Sequence, residues 1–326
     1  MIEDRSAKID PPQLHRETMN PSKKLSVLVS LITEDNDYQR EQAAVAESVS
    51  RKLDLTVKIE YADNDAVNQT LQILKAIQAQ PELRPSGVVV EPVGTGMSQV
   101  AQAAANAEIG WAVLNANADY LGKHRLHCHA PMFSLASDNE EVGRIQGKQF
   151  NLLLPRAGCL LYIEGPSATD VVKKRTSGML ATKRSDLDVK VIRGAWTELG
   201  AYNAVKSWLR LPTSRELHIG MVGCQNDAMA AGARRAFDEH PDHSERARFL
   251  GLPFTGCDGV SGKGQAWVRQ GVLAATVVTP ALTGVALEMM AHSLRSGVQP
   301  AEQTLIAPKS YPALEELRSL KFEKHA

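Results

Sequence analysis

The chain has 326 residues, and its 37 Lys plus Arg balance 37 Asp plus Glu to a formal net charge of zero. Hydrophobic residues make up 43% and charged residues 23%, a balance that supplies a sizeable core, excludes wholesale disorder and fits about two domains. Zero net charge argues against a protein that coats nucleic acid or an anionic membrane, and no apolar run approaches the ~18 residues of a spanning helix.

Residues 1–22 read as a mobile tail. Met1 to Lys24 carries scattered charges with Pro11, Pro12 and Pro21, and lacks the apolar segment of roughly 7–15 residues that a secretory signal needs. As written, the chain is therefore expected in the cytoplasm. Cys128, Cys159, Cys224 and Cys257 are too widely separated for a disulfide framework or a Cys-x-x-Cys zinc site.

From Leu25 onward, short apolar runs alternate with amphipathic, often Ala-rich stretches. Strands are predicted at Leu25–Ile32, Leu55–Tyr61, Gly87–Glu91 and Trp111–Asn115, with helices at Tyr38–Leu53, Ala66–Ala79 and Met97–Glu108 between them. Asp119 to Pro131 interrupts the alternation without a good helix, and the pattern restarts at Phe133–Ala136. Later strands are predicted at Cys159–Glu164, Val189–Arg193, Leu217–Val222, Phe249–Leu252 and Ala274–Val278. The later helices are Glu140–Leu153, Asp170–Lys183, Ala201–Leu209, Ala228–Glu239, Gly262–Gln270 and Ala281–Leu294. Continuous Val, Ile and Leu runs between helices predict parallel βαβ units, with both sheet faces covered. There are too many strands for one comfortable sheet, so the expected fold is α/β with two doubly wound parallel-sheet lobes and a cleft between them.

The predicted strand ends are polar. They include Glu34 to Tyr38, Asn115, Glu164-Gly165-Pro166, Trp196-Thr197-Glu198, Gln225-Asn226-Asp227 and Asp258-Gly259. Carboxylates and amides can read adjacent hydroxyls, and a Trp or Tyr face suits the carbon side of a sugar ring. The same Asp and Asn residues also suit helix N-caps, and both readings stand at this point.

Gly165–Met179 (GPSATDVVKKRTSGM) resembles the fifth-strand loop and helix of type I periplasmic sugar-binding proteins, the ribose-binding group in particular. So do Ser137-Asp138-Asn139, Gln225–Ala230 (QNDAMA), Cys257-Asp258-Gly259 and Gly271–Val277 (GVLAATV), in the right order between Leu25 and about Pro308. The resemblance implies that family's fold, two lobes joined by a three-crossover hinge. The crossovers fall near Ala136-Ser137, Thr279-Pro280 and Ile306-Ala307. One lobe would span residues 23–137 plus 280–305, the other 138–279 plus 306–326.

Carried over by position, the resemblance implies that Arg175, Asn226 and Asp258 hold ligand hydroxyls and that Trp196 stacks on the ligand. It puts Thr279 at a hinge-side polar contact usually filled by Gln, and Tyr38 near the first-strand aromatics. The fourth strand ends Leu114-Asn115-Ala116 where ribose binders carry Asp and Arg. One charge pair is thereby missing, and ribose specificity does not carry over. The first loop, Thr33 to Tyr38, is longer and more acidic than that of the family.

Other motifs are incomplete. Gly94-Thr95-Gly96 does not complete a dinucleotide fingerprint, Gly262-Lys263 lacks Walker spacing, and no Gly-x-Ser-x-Gly occurs. The cluster His124, His127, Cys128, His129 reads as a solvated loop rather than a metal site. The expectation is a binding protein, not an enzyme, that uses no cofactor or metal and takes a monosaccharide or polyol. It would signal by hinge closure as a monomer, with an ABC permease as partner if exported and a sensor or kinase if not. A mature or truncated form of the chain would be periplasmic. Two alternatives are an enzyme on the same fold, pairing Asp35 or Asp37 with Glu164 or Asp258, and a regulator's effector domain without its DNA-binding part. Too few residues precede Leu25 for a helix-turn-helix domain.

Overall fold

A computed structural model describes residues 24–116, 118–166 and 169–323; the tail expected over 1–22 lies outside them. In chain order the first half runs β1 (Ser26–Leu31), α1 (Asp37–Lys52), β2 (Thr56–Tyr61), α2 (Ala66–Ile77), β3 (Gly87–Val90), α3 (Ser98–Asn106), β4 (Gly110–Leu114), α4 (Leu121–Arg125), β5 (Met132–Ser137) and α5 (Asn139–Leu153). It continues with β6 (Gly158–Glu164), α6 (Asp170–Thr182), β7 (Leu187–Arg193), α7 (Glu198–Leu209), α8 (Pro212–Glu216), β8 (Ile219–Cys224), α9 (Asp227–Asp238) and α10 (His243–Leu250). The last elements are β9 (Phe254–Asp258), α11 (Gly264–Arg269), β10 (Ala275–Val278), α12 (Leu282–Ser296), β11 (Gln303–Ile306), β12 (Lys309–Tyr311) and α13 (Leu314–Glu323).

Among the described residues these strands form two six-stranded sheets, ordered β11-β5-β4-β3-β1-β2 and β12-β10-β9-β8-β6-β7. All pairings are parallel except β10 with β12. The two orders are the same winding used twice, which is why the sequence pattern recurs. On the first sheet α1 and α12 cover one face, through Ala43, Ala46, Leu282 and Leu287. Ile73 of α2, Ala101 and Ala104 of α3, and Leu121 of α4 cover the other. On the second sheet Ala201, Val205, Met229 and Phe237 of α7 and α9 form one layer, and Phe150 of α5 with Met179 of α6 forms the opposite one. The chain passes between the sheets after β5, after β10 and after β11.

Three sequence expectations change. Phe249–Leu252 is not a strand: Asp242 caps α10 by accepting from the Ser244 and Glu245 amides at 2.8 and 3.0 Å, and α10 runs through Phe249. Phe249 then stacks on Phe237, with ring centroids 4.4 Å apart. Pro253 donates no amide, and the strand begins at Phe254. The histidine segment is not a solvated loop throughout. His124 lies on the short helix α4 and is buried with Cys128, while His127 and His129 are exposed. Lastly, β11, β12 and α13 escape the pattern, because β11 and β12 are short edge strands with little continuous burial.

Candidate functional site

In each sheet the first strand lies between the second and the third, so the connections leaving β1 and β3, and those leaving β6 and β8, diverge to opposite faces. Such switch points open crevices at the carboxyl ends of the strands. Here the two crevices face each other. Asn36, Asp37 and Tyr38 of the first lobe and Asn226, Asp227, Asp258 and Lys263 of the second line one cleft. Lys263 Nζ reaches Asp37 Oδ2 across the cleft at 3.4 Å.

On the first lobe, Asn36 caps α1 by accepting from the Gln39 amide at 2.8 Å, which sets Tyr38 in the first turn. Asn115 follows β4 with a left-handed backbone, φ 53°. Its Nδ2 donates to Tyr38 Oη and to Glu91 Oε1, each at 3.0 Å, and its Oδ1 accepts from the Ser137 amide at 3.3 Å. Glu91 Oε2 accepts from Gln39 Nε2 at 2.8 Å. Glu91 is buried, and burial raises its carboxyl pKa while the amide bonds from Asn115 and Gln39 oppose the shift. Burial, then the nearby Glu91 charge, pushes the Tyr38 phenol well above its ordinary value.

The second lobe is built around the close approach of α5 and α6. A Cβ on Gly143 would come within 2.0 Å of the Arg175 carbonyl oxygen, and one on Gly178 within 2.0 Å of that of Glu140, so glycine at both positions lets the backbones touch. Arg175 is thereby held at only 7% exposure. Its Nε donates to Asn139 Oδ1 at 3.0 Å and its Nη1 to the Gln225 carbonyl. Its Nη2 has no hydrogen bond among the described residues. The guanidinium carbon lies 5.6 Å from the Trp196 ring centroid. Trp196 has φ 60°, and its ring occupies the space a side chain at position 165 would need, since a Cβ there would meet Trp196 Cε2 at 2.3 Å.

Asp258 ends β9 with φ 96°, a conformation that side chains rarely adopt and that surrounding structure must enforce. Asp227 supplies that enforcement: its Oδ2 accepts from the Gly259 amide at 2.8 Å and its Oδ1 from Thr276 Oγ1 at 2.7 Å. The Asp258 carbonyl accepts from the Thr279 amide at 3.0 Å. Its carboxylate is half-buried, and no donor among the described residues reaches it. Burial pushes its pKa up to about 7; Arg175 opposes this, while the charges of Glu91 and Asp37 add to it.

Tyr38, Asn226 and Asp258 line the cleft itself. Arg175 and Trp196 pack together on the second lobe, and Asn115 stands behind Tyr38. Asn226 also caps α9, its Oδ1 accepting from the Met229 amide at 2.8 Å and its Nδ2 donating to the Trp196 carbonyl at 2.9 Å. Thr279 is buried at the crossing after β10, with Oγ1 unpartnered among the described residues. Sequence reasoning gave Glu91 no place in the site, and it named Asn139, Gln225 and Asp227 only within strand-end or family motifs, without a role of their own. For Glu91 a signal existed: a carboxylate closing a run of four buried strand residues needs a partner. Among the described residues no group of three or more His, Cys, Asp or Glu side chains is placed to hold a metal ion.

The family described as "Periplasmic binding protein domain" matches residues 27–297. The chain belongs to the periplasmic binding protein family. A periplasmic solute-binding protein of an ABC transporter from Actinobacillus succinogenes, solved with bound D-allose, has the same fold, with a TM-score of 0.76 at 19% identity. That alignment covers 91% of this chain and 100% of that one. A galactofuranose-binding protein aligns with a TM-score of 0.73 at 20% identity, over 92% and 99% of the two chains. A Caulobacter myo-inositol-binding protein, bound to myo-inositol, gives 0.73 at 18% identity, over 90% and 96%. No curated protein matches the chain in sequence.

Membership makes this a solute-binding protein and not an enzyme. It also corrects the expected cytoplasmic location: proteins of this family act in the periplasm. No helix among the described residues is long and apolar enough to cross a membrane.

Proposed function

We propose that the chain binds a monosaccharide or related polyol in the cleft and, on closing, presents it to an ABC permease. One observation carries this reading. Arg175 Nη2, beside the Trp196 indole, and the Asp258 carboxylate, which lines the cleft, are a donor and an acceptor that make no hydrogen bond among the described residues. A hydroxylated ring offers both complements, donors and acceptors on its edge and C–H groups on its face. Solved proteins of the same fold carry D-allose and myo-inositol.

On this reading the lobes comprise 23–137 with 280–305 and 138–279 with 306–326, and they hinge at the three crossings. Ile306 still pairs with Ser137 in the first sheet, so the third hinge acts just beyond it. The ligand would contact both lobes only when they close, and so would shift the open–closed population. The test is mass spectrometry of the small molecules released on denaturing the purified protein. Recovery of an intact sugar or polyol is the expected result; a nucleotide, an amino acid or a peptide would overturn the assignment.

A further inference from the structure

The chain first leaves the first sheet at Ser137, and its backbone there is held from both sides by side-chain amides. The Ser137 N–H donates to Asn115 Oδ1 at 3.3 Å, and the Ser137 carbonyl accepts from Asn139 Nδ2 at 3.1 Å. Each carboxamide is bonded at its other end to a residue of the site. Asn115 Nδ2 donates to Tyr38 Oη at 3.0 Å, and Asn139 Oδ1 accepts from Arg175 Nε at 3.0 Å. A hydrogen-bonded chain therefore runs from Tyr38 on one lobe, through the first crossing, to Arg175 on the other. Ser137 and Asn139 are buried, so water competes little for these bonds.

Chemistry fixes which way round Asn139 sits. An Arg Nε–H only donates and a peptide carbonyl only accepts, so Oδ1 must face Arg175 and Nδ2 must face Ser137. Asparagine serves both partners, aspartate would serve Arg175 alone, and alanine would serve neither. Between the two bonded residues lies Asp138, with φ −67° and ψ 86°, outside the helix that it caps. Its N–H donates to the Ile306 carbonyl at 3.0 Å, which ties the first crossing to β11. Asn139 opens α5, and α5 packs on α6 through Gly143 and Gly178, so Asn139 and Arg175 move as one body. A rotation at Asp138 takes the Ser137 carbonyl away from a carboxamide whose other end stays with that body. Asn139 can then keep Arg175 or Ser137, not both. Both bonds are in place in the arrangement in which Lys263 reaches Asp37 across the cleft at 3.4 Å.

We propose that Asn139 is a positioning residue. It latches the first crossing in this closed arrangement and holds Arg175 there, so that lobe closure and placement of the guanidinium are one event. This rests on the hinged binding reading given above and adds to it the side chain that couples the hinge to the site.

The test needs no ligand. Asp37→Cys with Lys263→Cys, the parent pair, puts one thiol on each side of the cleft, the four native cysteines being buried. A short bis-maleimide joins the two thiols when the lobes close, and its rate reads the closed fraction even where that fraction is small. In the same background Asn139→Asp keeps an acceptor for Arg175 but gives Ser137 no donor. It should slow crosslinking about fivefold, as expected for one lost neutral hydrogen bond. Asn139→Ala should slow it at least as much. The Arg175 Nε–H, followed by NMR, should exchange slowly with water in the parent and in Asn139→Asp, and faster in Asn139→Ala. A residue with a merely structural role would not split the two readouts in this way. Should Asn139→Ala fail to fold by circular dichroism, the crosslinking rate of Asn139→Asp decides. Crosslinking of Asn139→Asp at the parent rate overturns the latch, whatever the ligand proves to be. A parent pair that does not crosslink overturns closure at this pair and the latch with it. Fast exchange of the Arg175 Nε–H in the parent overturns the positioning of Arg175. The small molecule released from the purified protein bears on the ligand alone, so the two readings fail separately.

Discussion

The two walls of the cleft differ in how much of their hydrogen-bonding capacity remains open. On the first lobe, Asn115 spends its carboxamide on Tyr38, Glu91 and the Ser137 amide, and Gln39 takes the other Glu91 oxygen. Most of that wall's capacity is thereby spent, leaving the Tyr38 O–H and Ser137 Oγ without partners among the described residues. On the second lobe the supporting groups are spent, yet Arg175 Nη2 and the Asp258 carboxylate are left over. On the proposed reading, the second lobe takes the ligand first. On that reading the first lobe offers a surface, Tyr38 above all, that completes the enclosure on closing. Trp196, Asp258 and Asn115 all have positive φ, so both walls store backbone strain at the places where side chains must be aimed.

Breaking the open wall should have the largest effect. Arg175→Ala removes a charged donor from a closing pocket, a loss of about 1.5–3 kcal/mol and hence roughly 10- to 100-fold in affinity by calorimetry. Asp258→Ala is expected to match it. Loss of the fold in Arg175→Ala, seen by circular dichroism, would instead assign Arg175 to structure alone. On the first lobe Asn115→Ala should act indirectly, through Tyr38 and Glu91. A weakening of about fivefold is expected from one lost neutral hydrogen bond of ~1 kcal/mol. An effect larger than that of Arg175→Ala would reverse the roles assigned to the two walls.

Asp258 also gives the comparison a pH signature. Its pKa in the folded chain, about 7, lies above the ~3.9 of an unfolded Asp. A raised carboxyl pKa contributes stability that is fully present below the unfolded value and is lost as pH rises through the folded value. Without ligand, the melting temperature of the wild type relative to Asp258→Asn should therefore fall between about pH 4 and pH 7. A difference that is flat across that window would mean that the carboxylate is solvated as in water. At the rim, Lys263→Ala removes an exposed pair worth roughly 0.2–1 kcal/mol, so less than a fivefold change is expected. The smallest effect belongs to His127→Ala and His129→Ala, exposed beside α4 and expected to leave affinity unchanged.

Much of this was legible in the sequence for physical reasons that differ by region. Strands covered on both faces read as continuous Val, Ile and Leu runs, which is why β1, β3, β4 and β6 stand out. The edge elements β11 and β12 have no such signature. In FLGLPF, Phe249 is as apolar as Phe254, and only the α10 cap and Pro253 distinguish helix from strand. At the site, polar residues at strand ends were visible as a set, but their division of labour was not. Asn226 spends both ends of its carboxamide on the fold of its own lobe, while Asp258 makes no such bond. Asp227 is more deeply buried than Asp258, and its role in holding the Gly259 turn depends on contacts some thirty residues away.

The central claim is that the ligand sits between two lobes and is held by both. Small-angle X-ray scattering of the full chain, without ligand and then saturated with the sugar or polyol that calorimetry identifies, tests it most directly. The account predicts a smaller radius of gyration on saturation, and the same unliganded value with no contraction for Arg175→Ala at that ligand concentration. An unchanged wild-type profile at saturation would contradict closure and place the ligand on one lobe alone.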